Sequence, residues 1–269
     1  MLSITALTRE KITSIRYILC DIDDTLTQDG YLLSEAFTAL WRLHEAGYRI
    51  IPVTGRPAGW CDMIIRQWPV DAVIGENGAL AMFRTPSGFG VKLHSSVASD
   101  EVKKKLKDVE ELVCSSIPGM KLAKDQPFRW YDLAFDFAED PPFFGMDTAL
   151  KIQELCESRG AIAKISSIHV NTWFGSYSKL DMAQELLADQ FGISGAGLME
   201  QVFFCGDSPN DEPMFSFFPL SCGVANIAPF LSLMSHPPAY ITLAEGGRGF
   251  AEVAEIILES GKTENEQLT

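Results

Sequence analysis

The chain has no apolar run long enough to cross a bilayer as a helix, which takes roughly 18 residues or more. Its first sixteen residues are broken up by Arg9, Glu10, Lys11 and Arg16, so no signal-peptide core is expected there. Positive charge is scarce: 22 lysines and arginines against 36 aspartates and glutamates leave a net charge of −14. Broad nucleic-acid binding needs a basic face, and so does docking on an anionic membrane surface; neither is expected. A small anionic ligand stays possible if a metal, a local cation or backbone N–H groups receive it. Six cysteines are present, Cys20, Cys61, Cys114, Cys156, Cys205 and Cys222, and none forms a CxxC pair. Cys20 and Cys205 sit inside apolar runs, where a thiol behaves as a small hydrophobe. A reducing, cytoplasmic setting is the expectation. No GxGxxG follows the first strand-like run, which argues against a nucleotide-binding dehydrogenase. No internal repeat of fixed period is visible.

What is present is an ordinary globular composition, 46% hydrophobic and 22% charged over 269 residues. Ile15 to Cys20 reads as a strand. Ser34 then precedes Phe37, Leu40, Trp41 and His44 at helical spacing, and Gly47 closes that helix. Tyr48 to Val53 is a second strand and Val70 to Ile74 a third. The pattern returns after Ser178, with a helix through Leu180, Ala183, Leu187 and Phe191. Strands follow at Val202 to Cys205, Leu220 to Ala225 and Tyr240 to Leu243, then a helix at Phe250 to Leu258. The last residues, Ser260 to Thr269, are polar and expected to fray. Strands alternating with helices predict an α/β fold, a Rossmann-like parallel sheet with helices on both faces. The middle differs. Pro86, Gly88 and Gly90 loosen the chain after Phe83. Asp100 to Ser116 and Asp147 to Arg159 read as helices. Trp130 to Phe137, Ala161 to Ile165 and Ile168 to Trp173 read as strands. We expect a core of residues 1–83 and 175–269, with residues 84–174 as an inserted α+β domain.

In an open α/β sheet, ligands bind beyond the carboxyl ends of the strands. Those ends are acidic here. The first runs into Asp21-Ile22-Asp23-Asp24-Thr25-Leu26, the second into Thr54-Gly55-Arg56, and Val202 to Cys205 into Gly206-Asp207-Ser208-Pro209-Asn210-Asp211. Helix N-caps would account for one aspartate per loop, but poorly for Asp21, Asp23 and Asp24 together. Asp21 and Asp207 would crowd like charge into one crevice. A hard divalent cation with oxygen ligands, most simply Mg²⁺, resolves that conflict, and Asp211 can complete its shell. Ser178 with Asp181 resembles a capping box, which puts Lys179 in the first helical turn, against the helix dipole. Lys179 there either faces something anionic or is solvated. Thr54 either caps the next helix or donates to an anion.

Taken in order, these segments resemble the motifs of the haloacid dehalogenase (HAD) superfamily. Asp21 to Leu26 stands as DxDxTL, Thr54-Gly55-Arg56 as the second motif and Lys179 as the third. Gly206-Asp207 with Asn210-Asp211 stands as the fourth. The insertion between the second and third motifs looks like a type IIB cap. Glu76-Asn77-Gly78-Ala79 and Gly175-Ser176-Tyr177-Ser178-Lys179 resemble its junctions, with Leu180 where many members have glycine. The resemblance, to Cof-like and sugar-phosphate, sucrose-phosphate, trehalose-phosphate and mannosyl-3-phosphoglycerate phosphatases, implies a Mg²⁺-dependent phosphomonoesterase. Its substrate would be a phosphorylated sugar or related small metabolite. In that reading Asp21 is the nucleophile and Asp23 the acid and base. Thr54, Gly55 and Lys179 bind the phosphoryl group. Asp21, the Asp23 carbonyl, Asp207 and Asp211 hold the metal, and Asn210 supports them. Arg56 either binds phosphate or pairs with a carboxylate near the cap hinge. Among cap residues, Arg129, His169 and Asn171 are the candidate substrate contacts. His169 and Asn171 share a strand face by period two, although that face would be polar whether it met substrate or solvent. Trp130 and Trp173 either stack on a sugar or pack. A sugar phosphomutase would use the same residues. A receiver-like, non-enzymatic phosphoacceptor domain would not need Asp23 or a cap. The assembly is expected to be a monomer or homodimer.

Overall fold

The computed structural model describes residues 1–97 and 100–261; most of the polar terminus, residues 262–269, lies outside them. Short apolar runs, each ending where charged or glycine-rich sequence begins, pair in parallel into a six-stranded sheet. Its order is Leu2–Ser3, Tyr240–Ile241, Ser221–Gly223, Val202–Gly206, Tyr17–Cys20, Arg49–Pro52. The register sets Cys20 opposite both Cys205 and Pro52. The strands that carry the acidic loops are therefore neighbours and end at one level.

Period-two alternation sends side chains to both faces of this sheet. Ile18, Cys20, Ile50, Phe203 and Cys205 pack on one side, under the helices Ser34–Glu45 and Gly246–Gly261. Leu19, Ile51, Val53 and Phe204 pack on the other with Met182, Ala183, Leu186 and Leu187 of the Lys179–Phe191 helix. Burial on both faces is why these strands read as continuous apolar runs rather than alternating ones.

Beyond Pro52 the sheet continues through a single parallel bridge, Val53 to Ile74. Ala72–Gly75, Leu80–Thr85 and Gly88–Leu93 then form an antiparallel meander. Here the expected loosening after Phe83 gives way to a hairpin. Pro86 and Ser87 make its turn, and Gly90 lets the Phe83 ring lie across the facing strand, where a Cβ would fall 2.5 Å from it.

The inserted part has a sheet and a hydrophobic cluster of its own. Four antiparallel strands run in the order Ile162–Ile165, His169–Trp173, Leu133–Asp136, Lys121–Leu122. The helix Asp100–Ser116 presents Leu106, Val109 and Val113, and the helix Met146–Glu157 presents Ala149, Ile152 and Cys156. These meet Phe135, Ala163 and Val170 of the sheet. A parallel core flanked by helices and capped by antiparallel sheets is the expected type IIB architecture. Among the described residues, no helix is long and apolar enough to cross a membrane.

Candidate active site

Each acidic loop begins where a buried strand stops, and the first of them starts on an aspartate still held by the sheet. The Asp21 N–H donates to the Cys205 carbonyl at 2.9 Å, which extends the Tyr17–Cys20 ladder by one residue. Asp24 follows with φ +56, a left-handed conformation that aspartate tolerates better than most residues. The turn thus separates Asp21, which is 4% exposed, from the half-buried Asp23.

Lys179 is 5% exposed, so it is not a solvated lysine. Its helix is capped as expected: Ser178 Oγ accepts from the Asp181 N–H at 3.1 Å. The helix start is pressed against the core–cap junction. Gly78 has φ +105, and a Cβ there would fall 2.0 Å from the Ser178 carbonyl oxygen. Lys179 Nζ donates to Asp21 Oδ1 and to Asp211 Oδ1, each at 2.8 Å. Asp211 Oδ2 accepts from the Asp207 N–H at 3.1 Å. Asp207 Oδ1 accepts from Thr25 Oγ1 at 3.2 Å, while its Oδ2 is buried with no hydrogen-bond partner. Thr25 of the first motif thus orients Asp207.

Carboxylate oxygens of Asp21, Asp207 and Asp211 lie within 4.8 Å of one another. Burial pushes the Asp21 carboxyl up to about 8 against the opposing pull of Lys179, with Asp211 and Asp23 adding to the rise. Burial, then Asp21 and Asp211, raise Asp207 as well. Lys179 goes the other way: burial opposes its charge, but Asp21 and Asp211 outweigh burial and hold the ammonium firmly protonated. One cation faces three carboxylates, and one oxygen is orphaned. A hard divalent cation fits that donor set. Both Asp211 oxygens are already taken within the chain, which leaves oxygens of Asp207 and Asp21 open to such a cation.

A cavity of about 420 Å³ opens on Asp207, with Asp24, Asp29 and Glu245 at its mouth and Ser167 of the cap hairpin on its wall. Thr54 is fully buried at the next strand end, and its Oγ accepts from the Arg56 N–H at 3.0 Å, which leaves the hydroxyl proton free to donate. Asn171 lies directly over Gly55, where a Cβ would sit 2.4 Å from Asn171 Nδ2. Asn171 is 3% exposed, and its Oδ1 has no partner. His169 is equally buried, so the strand face they share turns inward rather than to solvent.

Arg56 pairs with carboxylates. Its Nε and Nη2 donate to Asp23 at 2.7–3.0 Å, its Nη2 also to Glu139 at 2.8 Å and its Nη1 to Asp125 at 3.3 Å. The guanidinium also stacks on Trp60, 4.4 Å from the ring centroid. Glu139 in turn meets His169 Nε2 at 2.8 Å. Burial alone would raise Glu139, but His169 and Arg56 outweigh it and hold the carboxyl at about 2. Asp136, Glu139 and His169 form a second group with metal-ligand spacing. It differs from the first in being already compensated: Asp136 accepts the N–H groups of Glu139 and Asp140, and Glu139 has Arg56.

Arg129 is fully engaged within the chain. Its side chain is 0% exposed, and it donates to Asp132, to Asp125 and to the Gly55 carbonyl. A buried guanidinium needs paired carboxylates, and Asp132 and Asp125 supply them. Trp173 packs, stacked on Tyr177 with centroids 5.5 Å apart, while Trp130 is half-exposed. Asn210 accepts from Ser208 Oγ at 2.8 Å and lines a separate cavity of about 390 Å³ between the cap helix Met146–Glu157 and the core.

The sequence analysis did not single out Glu139 or Asp125, and it placed Glu76 only in a cap junction. The Glu76 carboxylate is fully buried and accepts the N–H groups of Ala58, Trp130 and Tyr131, which joins a core helix start to the cap. Burial and Asp132 raise its carboxyl to about 7. Glu76 and Asn77 both stand at positive φ (46° and 55°), which only the folded chain reveals.

Residues 18–117 match the family model of haloacid dehalogenase-like hydrolases. No curated protein sequence matches the chain. Solved structures do. A Thermoplasma acidophilum protein superposes with a TM-score of 0.69 at 17% identity, covering 90% of this chain and 98% of its own. The C-terminal domain of Candida albicans trehalose-6-phosphate phosphatase gives 0.70 at 15%, covering 95% and 96%. The sucrose-phosphatase of Synechocystis gives 0.60 at 16%, covering 91% and 98%. With the partial family match, these likenesses establish that the chain has the haloacid dehalogenase-like hydrolase fold with an inserted cap.

Proposed function

We propose that this protein is a Mg²⁺-dependent phosphomonoesterase that acts on a phosphorylated sugar or related small metabolite through an aspartyl phosphate on Asp21. The observation that carries the reading is the buried group of Asp21, Asp207 and Asp211, bridged by Lys179, with Asp207 Oδ2 left unpaired. Asp207 and Asp21 would hold the metal, with Asp211 behind them and the Asp23 carbonyl contributing. When bound, the cation neutralises phosphoryl oxygens and lines them up for in-line attack.

The chain's own groups perform the steps. An Asp21 oxygen attacks phosphorus, and the bond from phosphorus to the leaving oxygen breaks. Asp23 gives its proton to that oxygen, so an alcohol departs. Water then attacks the phosphorus of the acyl phosphate and gives a proton to Asp23, and inorganic phosphate leaves with the Asp21 carboxylate restored. Lys179 offsets the charge on Asp21 and on the transferring group. The Thr54 hydroxyl and the N–H groups around Gly55 hold phosphoryl oxygens.

A polyol leaving group is favoured by Asn171, which lies beside Gly55 with its Oδ1 unpartnered, and by His169 on the same buried strand face. The likeness to trehalose-6-phosphate and sucrose phosphatases points the same way. The acidic balance of the chain and the enclosed site suit a small metabolite rather than nucleic acid or membrane. We assign the cap to residues 84–174.

The test is phosphate release with Mg²⁺ from a panel of hexose 1- and 6-phosphates, trehalose and sucrose phosphates and mannosyl-3-phosphoglycerate. Release from one of them is expected, abolished by EDTA and lowered at least about a thousandfold by Asp21→Asn. Release that survives Asp21→Asn would overturn the assignment of the nucleophile.

A further inference from the structure

Gly88–Leu93 is the outermost strand of the meander, and among the described residues no strand pairs with its free edge. Its large side chains alternate. Phe89, Val91 and Leu93 share one face and are 42%, 52% and 44% exposed. Edge strands are ordinarily guarded against further pairing by proline, by charge or by a covering segment. The charge in this strand, Lys92, is turned to the opposite face, where Glu185 and Asp189 of the Lys179–Phe191 helix hold it at 3.0 and 2.8 Å.

The ladder shows which backbone groups are free. The His94 N–H donates to the Ala79 carbonyl at 2.9 Å, so these two residues form a hydrogen-bonded pair. Such pairs alternate along an antiparallel ladder. Ala81 with Lys92 and Phe83 with Gly90 are therefore the next ones. The N–H and C=O groups of Phe89, Val91 and Leu93 then point away from the hairpin. The residues with free backbone groups are the residues with exposed apolar side chains.

This pattern is symmetric about Val91. A second copy of the strand, run antiparallel with Val91 opposite Val91, sets Phe89 opposite Leu93. Every outward N–H then meets an outward C=O, and apolar side chains face apolar ones. On the other face Lys92 falls opposite glycine, Gly90 of the second copy. Each lysine brings its own Glu185 and Asp189, so the two ammonium groups do not meet unshielded.

We propose that Gly88–Leu93 pairs with the same strand of a second copy of this chain, joining two core sheets about a two-fold axis at Val91. One short strand per copy is a small contact, so the dimer is expected to dissociate in the micromolar range.

Sedimentation velocity of the full chain, from low to high micromolar concentration, tests this. The native protein is expected to pass from monomer to dimer. Val91→Pro removes an outward N–H and leaves the hairpin ladder intact, a change that edge strands tolerate. Val91→Lys sets two like charges opposite each other at the axis, and at an exposed position it keeps the test open should the proline variant misfold. Either variant is expected to weaken dimerisation at least about tenfold. Val91→Cys is expected to form a covalent dimer with diamide, because directly paired Cα atoms about 5.5 Å apart lie within disulfide reach. A native chain that stays monomeric throughout overturns the proposal. So does a dimer that both variants retain, or a dimeric cysteine variant that does not cross-link, since either would place the interface elsewhere.

Discussion

Asp207 is the residue whose environment is least complete. One oxygen is oriented by Thr25 and the other is buried without a partner, beside Asp21 and Asp211. A buried charge in that position destabilises the chain alone and favours a bound cation. Asp207→Asn is therefore expected to act in two directions. The melting temperature in EDTA should rise, because one of three crowded charges is gone. The stabilisation by added Mg²⁺ should shrink, with apparent affinity lowered at least about tenfold. Thermal shift across a Mg²⁺ titration measures both. A lower melting temperature in EDTA would show that the Asp207 charge is compensated by something other than a metal.

At the level of elements, the position of Lys179 depends on how closely a helix start approaches the Glu76–Gly78 turn. Gly47 and Gly78 both have positive φ, +90 and +105, but only Gly78 would bring a Cβ against backbone, 2.0 Å from the Ser178 oxygen. Gly47→Ala should cost about 1 kcal/mol, the conformational penalty alone. Gly78→Ala should cost on the order of 3 kcal/mol or more and also lower kcat, because the clash moves Ser178 and with it Lys179. Denaturant unfolding and steady-state rates on the pair separate strain from displacement. Equal costs would mean that the helix start yields without disturbing the site. The elements themselves were legible wherever periodicity was strong. The Asp100–Ser116 helix and the Ser178 cap stand as expected. The hairpin at Leu80–Leu93 was not legible, because its second strand is short and glycine-rich and turns its alternating apolar side chains, Phe89, Val91 and Leu93, to the exposed side.

Across the whole molecule, a minority of the acidic side chains are buried, where charge costs most. Burial lifts Asp21 to about 8 from an ordinary value of 3.8, and Glu76 to about 7 from 4.5. Between about pH 4 and 8 the folded chain then binds protons that the unfolded chain has released, so stability falls as pH rises through that window. Glu139, held at about 2, has the opposite sign, but its contribution is lost only below the usual carboxylate range. In EDTA the melting temperature should be higher at pH 5 than at pH 8. Mg²⁺ should raise it more at pH 8, where the carboxylates are free to ligate. Equal Mg²⁺ shifts at the two pH values would place the ion outside this cluster.

The placement of the motif aspartates, Thr54 and Lys179 was readable because a strand end or a helix start is a local event. An apolar run followed by DxDxT or GDxxND marks the same place in the sequence and in the sheet. The fold class followed from alternation of strand and helix for the same local reason. What the tertiary structure decided is how charges divide among partners distant in the chain. Arg129, a candidate substrate contact by sequence, is held by Asp125, Asp132 and the Gly55 carbonyl. Arg56 was ambiguous until Asp23, Asp125 and Glu139 came together around it, 33, 69 and 83 residues away. A buried cation takes whichever carboxylates the packing brings within about 3 Å, and packing is a property of the whole chain.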